Sequence, residues 1–193
     1  GRTVEDYEED LKGNLLNLLD RLHRGSYRPN PSLRKNISKG NGKTRPLGIA
    51  CVEDKLVQRA VVMILERIYE VDFYDFSYGF RPRRSPHQAL RELRTQCQRK
   101  NVHWIIDAEV SGFFDDIEHH HLRTFLRRRM NDGSLMRLIG KWLNAGVLEE
   151  GKYLTTDIGS PQGGVISPLA ANVYLHYVLD EWFVTAVQPR MTG

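Results

Sequence analysis

The sequence predicts a helix-rich α+β fold. Three observations carry this expectation: long stretches with apolar residues at helical spacing, two strand pairs closed by glycine-containing turns, and no regular strand–helix–strand winding. In chain order, residues 4–24 place Leu11, Leu15, Leu18, Leu19 and Leu22 at helical spacing and predict one amphipathic helix. The glycine and two prolines of "GSYRPNPS" end it. In "NISKGNGKTRPLGIA" a Lys-Gly-Asn-Gly-Lys turn separates two strand-like runs, which predicts a β-hairpin with a basic tip. Residues 53–70 predict a strong helix with Leu56, Val57, Ala60, Val61, Ile64, Leu65 and Ile68 on one broad face. The arginine-rich "SYGFRPRRS" follows. Ser85 then caps a helix running to Arg99, with Pro86 at its first position and Gln88 completing a capping box. Residues 102–110 predict a strand, residues 119–130 and 134–145 predict helices, and "VLEEGKYLTT" predicts a hairpin. "SPLAANVYLHYVLDEWF" predicts a long helix with Ser167 as cap and Pro168 first.

Composition narrows the function classes. At 40% hydrophobic and 27% charged residues the chain has the material for a packed core, and it contains no low-complexity tract. No apolar run approaches the roughly 20 residues of a membrane span. The acidic start "GRTVEDYEEDLKGN" has neither the basic nor the apolar part of a signal peptide. Cys51 and Cys97 have no CxxC or zinc-like spacing and read as buried free thiols, so the expected setting is reducing and cytoplasmic, with no membrane partner. Net charge is only +4, but it is unevenly placed. From Arg21 to Val52 the chain carries Arg21, Arg24, Arg28, Arg34, Lys35, Lys39, Lys43 and Arg45 with no Asp or Glu, and "RRR" fills 127–129. A long stretch of one sign points to a polyanion such as nucleic acid. The "GKT" of 42–44 does not end a Walker loop, because that loop needs glycine where Ile37 stands.

"WIIDAEVSGFFDDIEH" gathers Asp107, Glu109, Asp115 and Asp116 in an apolar frame. Carboxylate oxygens are what hard divalent cations require. On a strand, Asp107 and Glu109 share one face, separated by ~6–7 Å. The consecutive His119, His120 and His121 point in different directions on a helix and do not close on one metal.

Taken in order, "GKTRPLGI", "SYGFRP", "DAEVSGFFD" and "GSPQGGVISPL" resemble the reverse transcriptase of group II introns, from the leading helix to "VLDEWF". The resemblance implies a right-hand polymerase fold, with fingers over residues 1–100 and part of the palm over 101–193. The palm part would include the first metal-binding strand, the Gln-Gly-Gly loop and a small antiparallel sheet. It implies that Lys43 and Arg45 hold the triphosphate and that Gln162 lines the incoming nucleotide. Phe113, Phe114 and Asp115 match the "FFD" ending of the first palm motif. That register makes Glu109 the catalytic metal ligand, with the backbone carbonyl of Val110 beside it, and makes Phe114 the gate against a 2′-hydroxyl. Phe113 would belong to the core, and Asp115 and Asp116 would be loop or capping carboxylates. The family normally has aspartate at position 109. Glutamate reaches ~1.5 Å further, and misplacement on the order of 1 Å can cost ~100-fold.

The resemblance also implies two Mg2+ ions, with Mn2+ as a substitute. It implies an RNA template, intron RNA, a DNA primer and deoxynucleoside triphosphates as partners. Arg24, Arg28, Arg34, Lys35, Lys39 and Arg81 would face RNA, while Tyr78 and Phe80 would pack. The family's Tyr-x-Asp-Asp box and thumb would follow residue 193. On this reading the fragment does not polymerise alone and self-associates through uncovered palm surface. Two other readings stay open: a non-catalytic RNA-binding maturase or assembly module, which Glu109 favours, and a CRISPR-linked polymerase of the same lineage.

Overall fold

The computed structural model describes residues 3–38, 42, 44–100, 102–155, 159 and 163–191. Helix α1 (Val4–Glu8) opens on a capping box between Thr3 and Asp6. Helix α2 (Leu11–His23) starts afresh on Asp10, whose carboxylate accepts the Gly13 amide at 3.1 Å. The single helix expected over 4–24 is therefore two, because Asp10 leaves helical geometry to cap the second. Only Leu18 of the leucine stripe is buried, and Leu22 packs partly beside it. Leu11, Leu15 and Leu19 are exposed.

Strands β1 (Ser32–Ser38) and β2 (Thr44–Ile49) form the expected antiparallel hairpin, in register from Leu33 opposite Ile49 to Ser38 opposite Thr44. Strands β3 (Val147–Glu149) and β4 (Lys152–Leu154) form a second hairpin, with positive φ at Glu150 and Gly151. A parallel pairing of Ser32 with Val147 joins the hairpins into one mixed sheet, ordered β2-β1-β3-β4. This corrects the expected separate antiparallel palm sheet. Residues 102–110 are likewise not a strand. They run outside the described secondary structure with Trp104 90% and Ile106 93% exposed. Their strand-like composition lacks a ladder, which is what stabilises a strand, since no described strand pairs with them.

Helix α3 (Val52–Tyr69) is the spine of the core, with Val57, Val61, Leu65 and Tyr69 buried at steps of four. Its buried face is turned from the expected one. Leu56 and Ile64 are exposed, while Val62, Asp54 and Gln58 are buried. Helices α5 (His119–Arg127), α6 (Gly133–Leu143) and α7 (Ser167–Leu175) contribute Leu122, Leu126, Ile139, Leu143, Leu169 and Val173 to the same core. Full burial of one such side chain contributes ~1.5–3 kcal/mol. Helix α4 (Pro86–Arg99) buries none of its side chains, and Ser85 caps it by accepting the Gln88 amide.

Helix α7 begins one residue earlier than expected. Ile166 is its cap residue, and Ser167, only 2% exposed, is its first helical one. The Ile166 amide donates to Gln58 Oε1 at 3.3 Å, so α3 supplies the capping group. Beyond Leu175 the helix widens into π turns at His176–Asp180 and Phe183–Val187.

A polar cluster pins this core. Buried Asp54 accepts hydrogen bonds from Tyr27 Oη, from the Asn30 amide at 3.0 Å and from Cys51 Sγ at 3.0 Å. Trp142 Nε1 donates to Tyr27 Oη at 3.1 Å, linking α6 to α3. Burial, then the bond to Asp54, pushes the Tyr27 hydroxyl well above the ordinary phenol range and keeps it protonated. No helix among the described residues is long and apolar enough to cross a membrane.

Candidate active site

The carboxylate-rich stretch is shaped by a turn at Gly112. Its φ of +63° suits glycine, and a Cβ there would lie 2.9 Å from Asp116 Oδ2. The Asp115 and Asp116 amides donate to the Gly112 carbonyl at 2.8 and 3.1 Å. The chain thereby passes from the exposed 102–110 run to Ile117, which is 1% exposed. Phe113 and Phe114 are half-buried against the core with ring centroids 5.6 Å apart, and Phe113 lies 6.2 Å from Tyr174. Glu109 and Val110 sit on the exposed approach to the turn, and Asp107, Asp115 and Asp116 are exposed as well. None of these four carboxylates forms an ion pair with a described basic group.

Two glycines seat the next motif on this turn and on the hairpin. The Gly159 amide donates to the Ile117 carbonyl at 2.8 Å, and the Gly159 carbonyl lies 2.6 Å from His119 Nε2, which donates to it. His119 is thus half-buried and tied to this loop. At Gly159 φ is +92°, and a Cβ would meet the Asp115 carbonyl oxygen at 2.7 Å. At Gly163 φ is +104°, and a Cβ would meet the Gly48 carbonyl oxygen at 2.7 Å and Leu47 Cδ1 at 2.8 Å. The Gln-Gly-Gly loop is therefore anchored at one end on the carboxylate turn and at the other on β2. Three motifs that together span more than a hundred residues, from Gly48 to Gly163, meet through backbone approaches that only glycine permits.

Of the residues expected in the site, Glu109, Val110 and Phe114 lie on or beside this turn. Lys39, Lys43, Gln162 and the Arg45 side chain lie outside the described residues. Of those expected to face RNA, Arg24 is paired with Asp20, and Arg34 lies 3.4 Å from Glu149. Lys35 is exposed on β1, and Arg28 is exposed beside a basic cleft. Arg81 is a correction. Its side chain is 3% exposed and its guanidinium is bound at 2.9 and 3.2 Å by Glu70 and at 2.6 and 2.7 Å by the Tyr74 and Ser77 carbonyls. A guanidinium so engaged holds the loop together and has little left for a phosphate. Phe80 is the reverse correction, standing 72% exposed with φ +53° instead of packing. Tyr78 does find a partner, with the Arg84 guanidinium 5.3 Å from its ring centroid.

The family model for reverse transcriptase (RNA-dependent DNA polymerase) matches residues 37–187. The chain belongs to the reverse transcriptase family. It is 44% identical over 162 residues to protein YkfC of Escherichia coli strain K12, covering 82% of this chain and 42% of that protein. To the group II intron-encoded protein LtrA of Lactococcus lactis subsp. cremoris it is 41% identical over 175 residues, covering 90% of this chain and 28% of that protein. It thus spans less than half the length of either relative. A chain in a solved structure described as a partial Cas6-RT-Cas1--Cas2 complex shares the fold, with a TM-score of 0.58 and 21% identity over 95% of this chain and 30% of that one.

Reverse transcriptases as a family depend on divalent metal. Glu109 offers an exposed carboxylate with no ion pair among the described residues, which is the oxygen chemistry such a cation takes. Among the described residues, however, no three His, Cys, Asp or Glu side chains converge as a metal site. Glu109 and the Val110 carbonyl alone among the described residues do not make a closed ligand set.

Sequence reasoning missed the Asp54 cluster, the anchoring glycines and His119. The glycines carried a visible signal, since they flank a motif already singled out. The contacts that use them join residues too far apart in sequence for any local pattern to show.

Proposed function

We propose that the chain forms the nucleotide side of an RNA-directed DNA polymerase site, and that the complete protein extends a DNA primer along an RNA template. One observation carries this reading: Gly159 and Gly163 clamp the Gln-Gly-Gly loop between the carboxylate turn and the basic hairpin. In this reading Lys43 and Arg45 form charge-assisted bonds to the triphosphate of an incoming deoxynucleotide. Gln162 contacts its base and sugar. Phe114, held by Phe113 and the core, lies under the sugar and excludes a 2′-hydroxyl. Glu109 and the Val110 carbonyl hold Mg2+ together with carboxylates beyond the described residues. When bound, that ion supplies neutralisation of phosphate charge and activation of the attacking hydroxyl. Similarity to an intron-encoded protein supports intron RNA as a further partner.

The test is photocrosslinking of an azido-deoxynucleoside triphosphate to the 193-residue chain in the presence of Mg2+. Label is expected on the hairpin and on the loop, and the double substitution K43A/R45A should abolish it. Label confined to other surfaces, or unchanged in K43A/R45A, would exclude the assignment. A maturase module without catalysis would bind RNA and give no such label.

A further inference from the structure

Away from the carboxylate turn, helices α5 and α6 face the chain between α2 and β1 across a cleft of about 890 Å³. Arg123 and Arg127 lie four apart on α5, and Arg137 and Lys141 lie four apart on α6. Arg28 joins them from the opposite wall. Like charges at this spacing weaken a helix, and here two such pairs line one depression. None of the five forms an ion pair with a carboxylate among the described residues. Asp132, the acid on the rim, is committed to capping α6, where it accepts the Ser134 and Leu135 amides.

Arg123 is built in rather than draped. Its Nε is buried without a hydrogen-bond partner, and its guanidinium occupies the space a side chain at Gly140 would fill, 2.6 Å from where that Cβ would stand. A glycine inside α6 costs helix stability, and admitting Arg123 is what it gains. Lys141 donates to the Gly25 and Tyr27 carbonyls at 3.2 and 2.7 Å. Desolvation, then Arg28 and Arg137, hold its ammonium below the ordinary lysine range. Tyr153, 53% exposed on β4, presents an aromatic face at the same cleft.

We infer that this cleft is a second nucleic-acid site, binding a single strand by its phosphates on Arg28, Arg123, Arg127, Arg137 and Lys141 and stacking a base on Tyr153. A groove of cations with no carboxylate partner among the described residues, beside an exposed aromatic ring, is what single-strand binding requires. The site shares no residue with the proposed nucleotide side, so it stands or falls independently of the polymerase reading.

The test is fluorescence anisotropy of a labelled single-stranded RNA with the 193-residue chain over a range of salt concentrations. Arg127 and Arg137 are exposed, so R127Q/R137Q retains the fold, checked by circular dichroism. Losing two phosphate contacts should reduce the slope of log K against log salt by about 1.4. Y153A should weaken binding ~5- to 160-fold with the slope unchanged. R94Q/R99Q on α4, which removes the same charge elsewhere, should leave the slope nearly intact. Equal slope losses in both double variants would mean that net charge carries binding, and would overturn the proposal. So would an unchanged slope in R127Q/R137Q. Inorganic phosphate displacing the RNA at low millimolar concentration, with Y153A silent, would mark a free-anion site and overturn it too.

Discussion

Gly159→Ala tests whether the Gln-Gly-Gly loop is seated on the carboxylate turn. The substitution adds one methyl group, and two costs can be read from the structure. At φ +92° an L-residue is strained, at ~1–3 kcal/mol for such backbone. The new Cβ would also stand 2.7 Å from the Asp115 carbonyl oxygen and 3.1 Å from its carbonyl carbon. Both are backbone atoms held by the Gly112 turn, so they cannot swing aside. Overpacking of this kind costs a further ~1–3 kcal/mol. The sum is ~2–6 kcal/mol, which for a chain of this size lowers Tm by at least ~4 °C. Gly151→Ala is the control, with φ +78° and no atom within 4 Å of its would-be Cβ. It incurs strain alone, of ~1–2 kcal/mol. Thermal melting followed by circular dichroism compares the two. Gly159→Ala melting no lower than Gly151→Ala would refute the close approach of loop and turn.

Three further outcomes follow from packing and charge. Asp54→Ala strands Tyr27 Oη, the Asn30 amide and Cys51 Sγ in the core and should destabilise by at least ~1–3 kcal/mol, read from urea denaturation. Arg81→Ala leaves Glu70 and two carbonyls without their partner and should cost ~3–5 kcal/mol; RNA affinity at a permissive temperature should be unchanged, and a marked loss of affinity would return Arg81 to the template path. Burial raises the Asp180 carboxyl above its ordinary value, against smaller opposing effects of His176 and Arg81. Its ionisation is then less favourable folded than unfolded. The native chain should lose stability relative to Asp180→Asn as pH rises from below the ordinary aspartate pKa through the raised folded one. Melting curves of the two proteins should converge at acid pH and separate toward neutrality, with the asparagine variant higher.

The elements legible in the sequence were those with strong local grammar. The glycine-punctuated hairpin, the Ser85 cap with Pro86 behind it and the 53–70 periodicity each gave the observed element within a residue or two. Residues 102–110 failed because a strand is a property of a pair, and no local pattern says where the pair will be. The α1–α2 break failed because a leucine period of helical spacing runs through Asp10, and its capping role outweighs the period. Arg81 misled because its arginine-rich loop looks like a phosphate contact, whereas Glu70, eleven residues earlier, holds its guanidinium inside. Motif order identified the carboxylate turn and its neighbours. Their physical meeting, through Gly159 and Gly163, is visible only in three dimensions.

The most direct test of the polymerase is primer extension on an RNA template with Mg2+ by the complete protein that contains this chain. Native protein is compared with Glu109→Gln and Glu109→Asp. Native protein should extend the primer, Glu109→Gln should remove extension while RNA binding persists, and Glu109→Asp should change only the rate. Extension that survives Glu109→Gln would contradict the role of Glu109, and RNA binding without extension in all three proteins would contradict the polymerase itself.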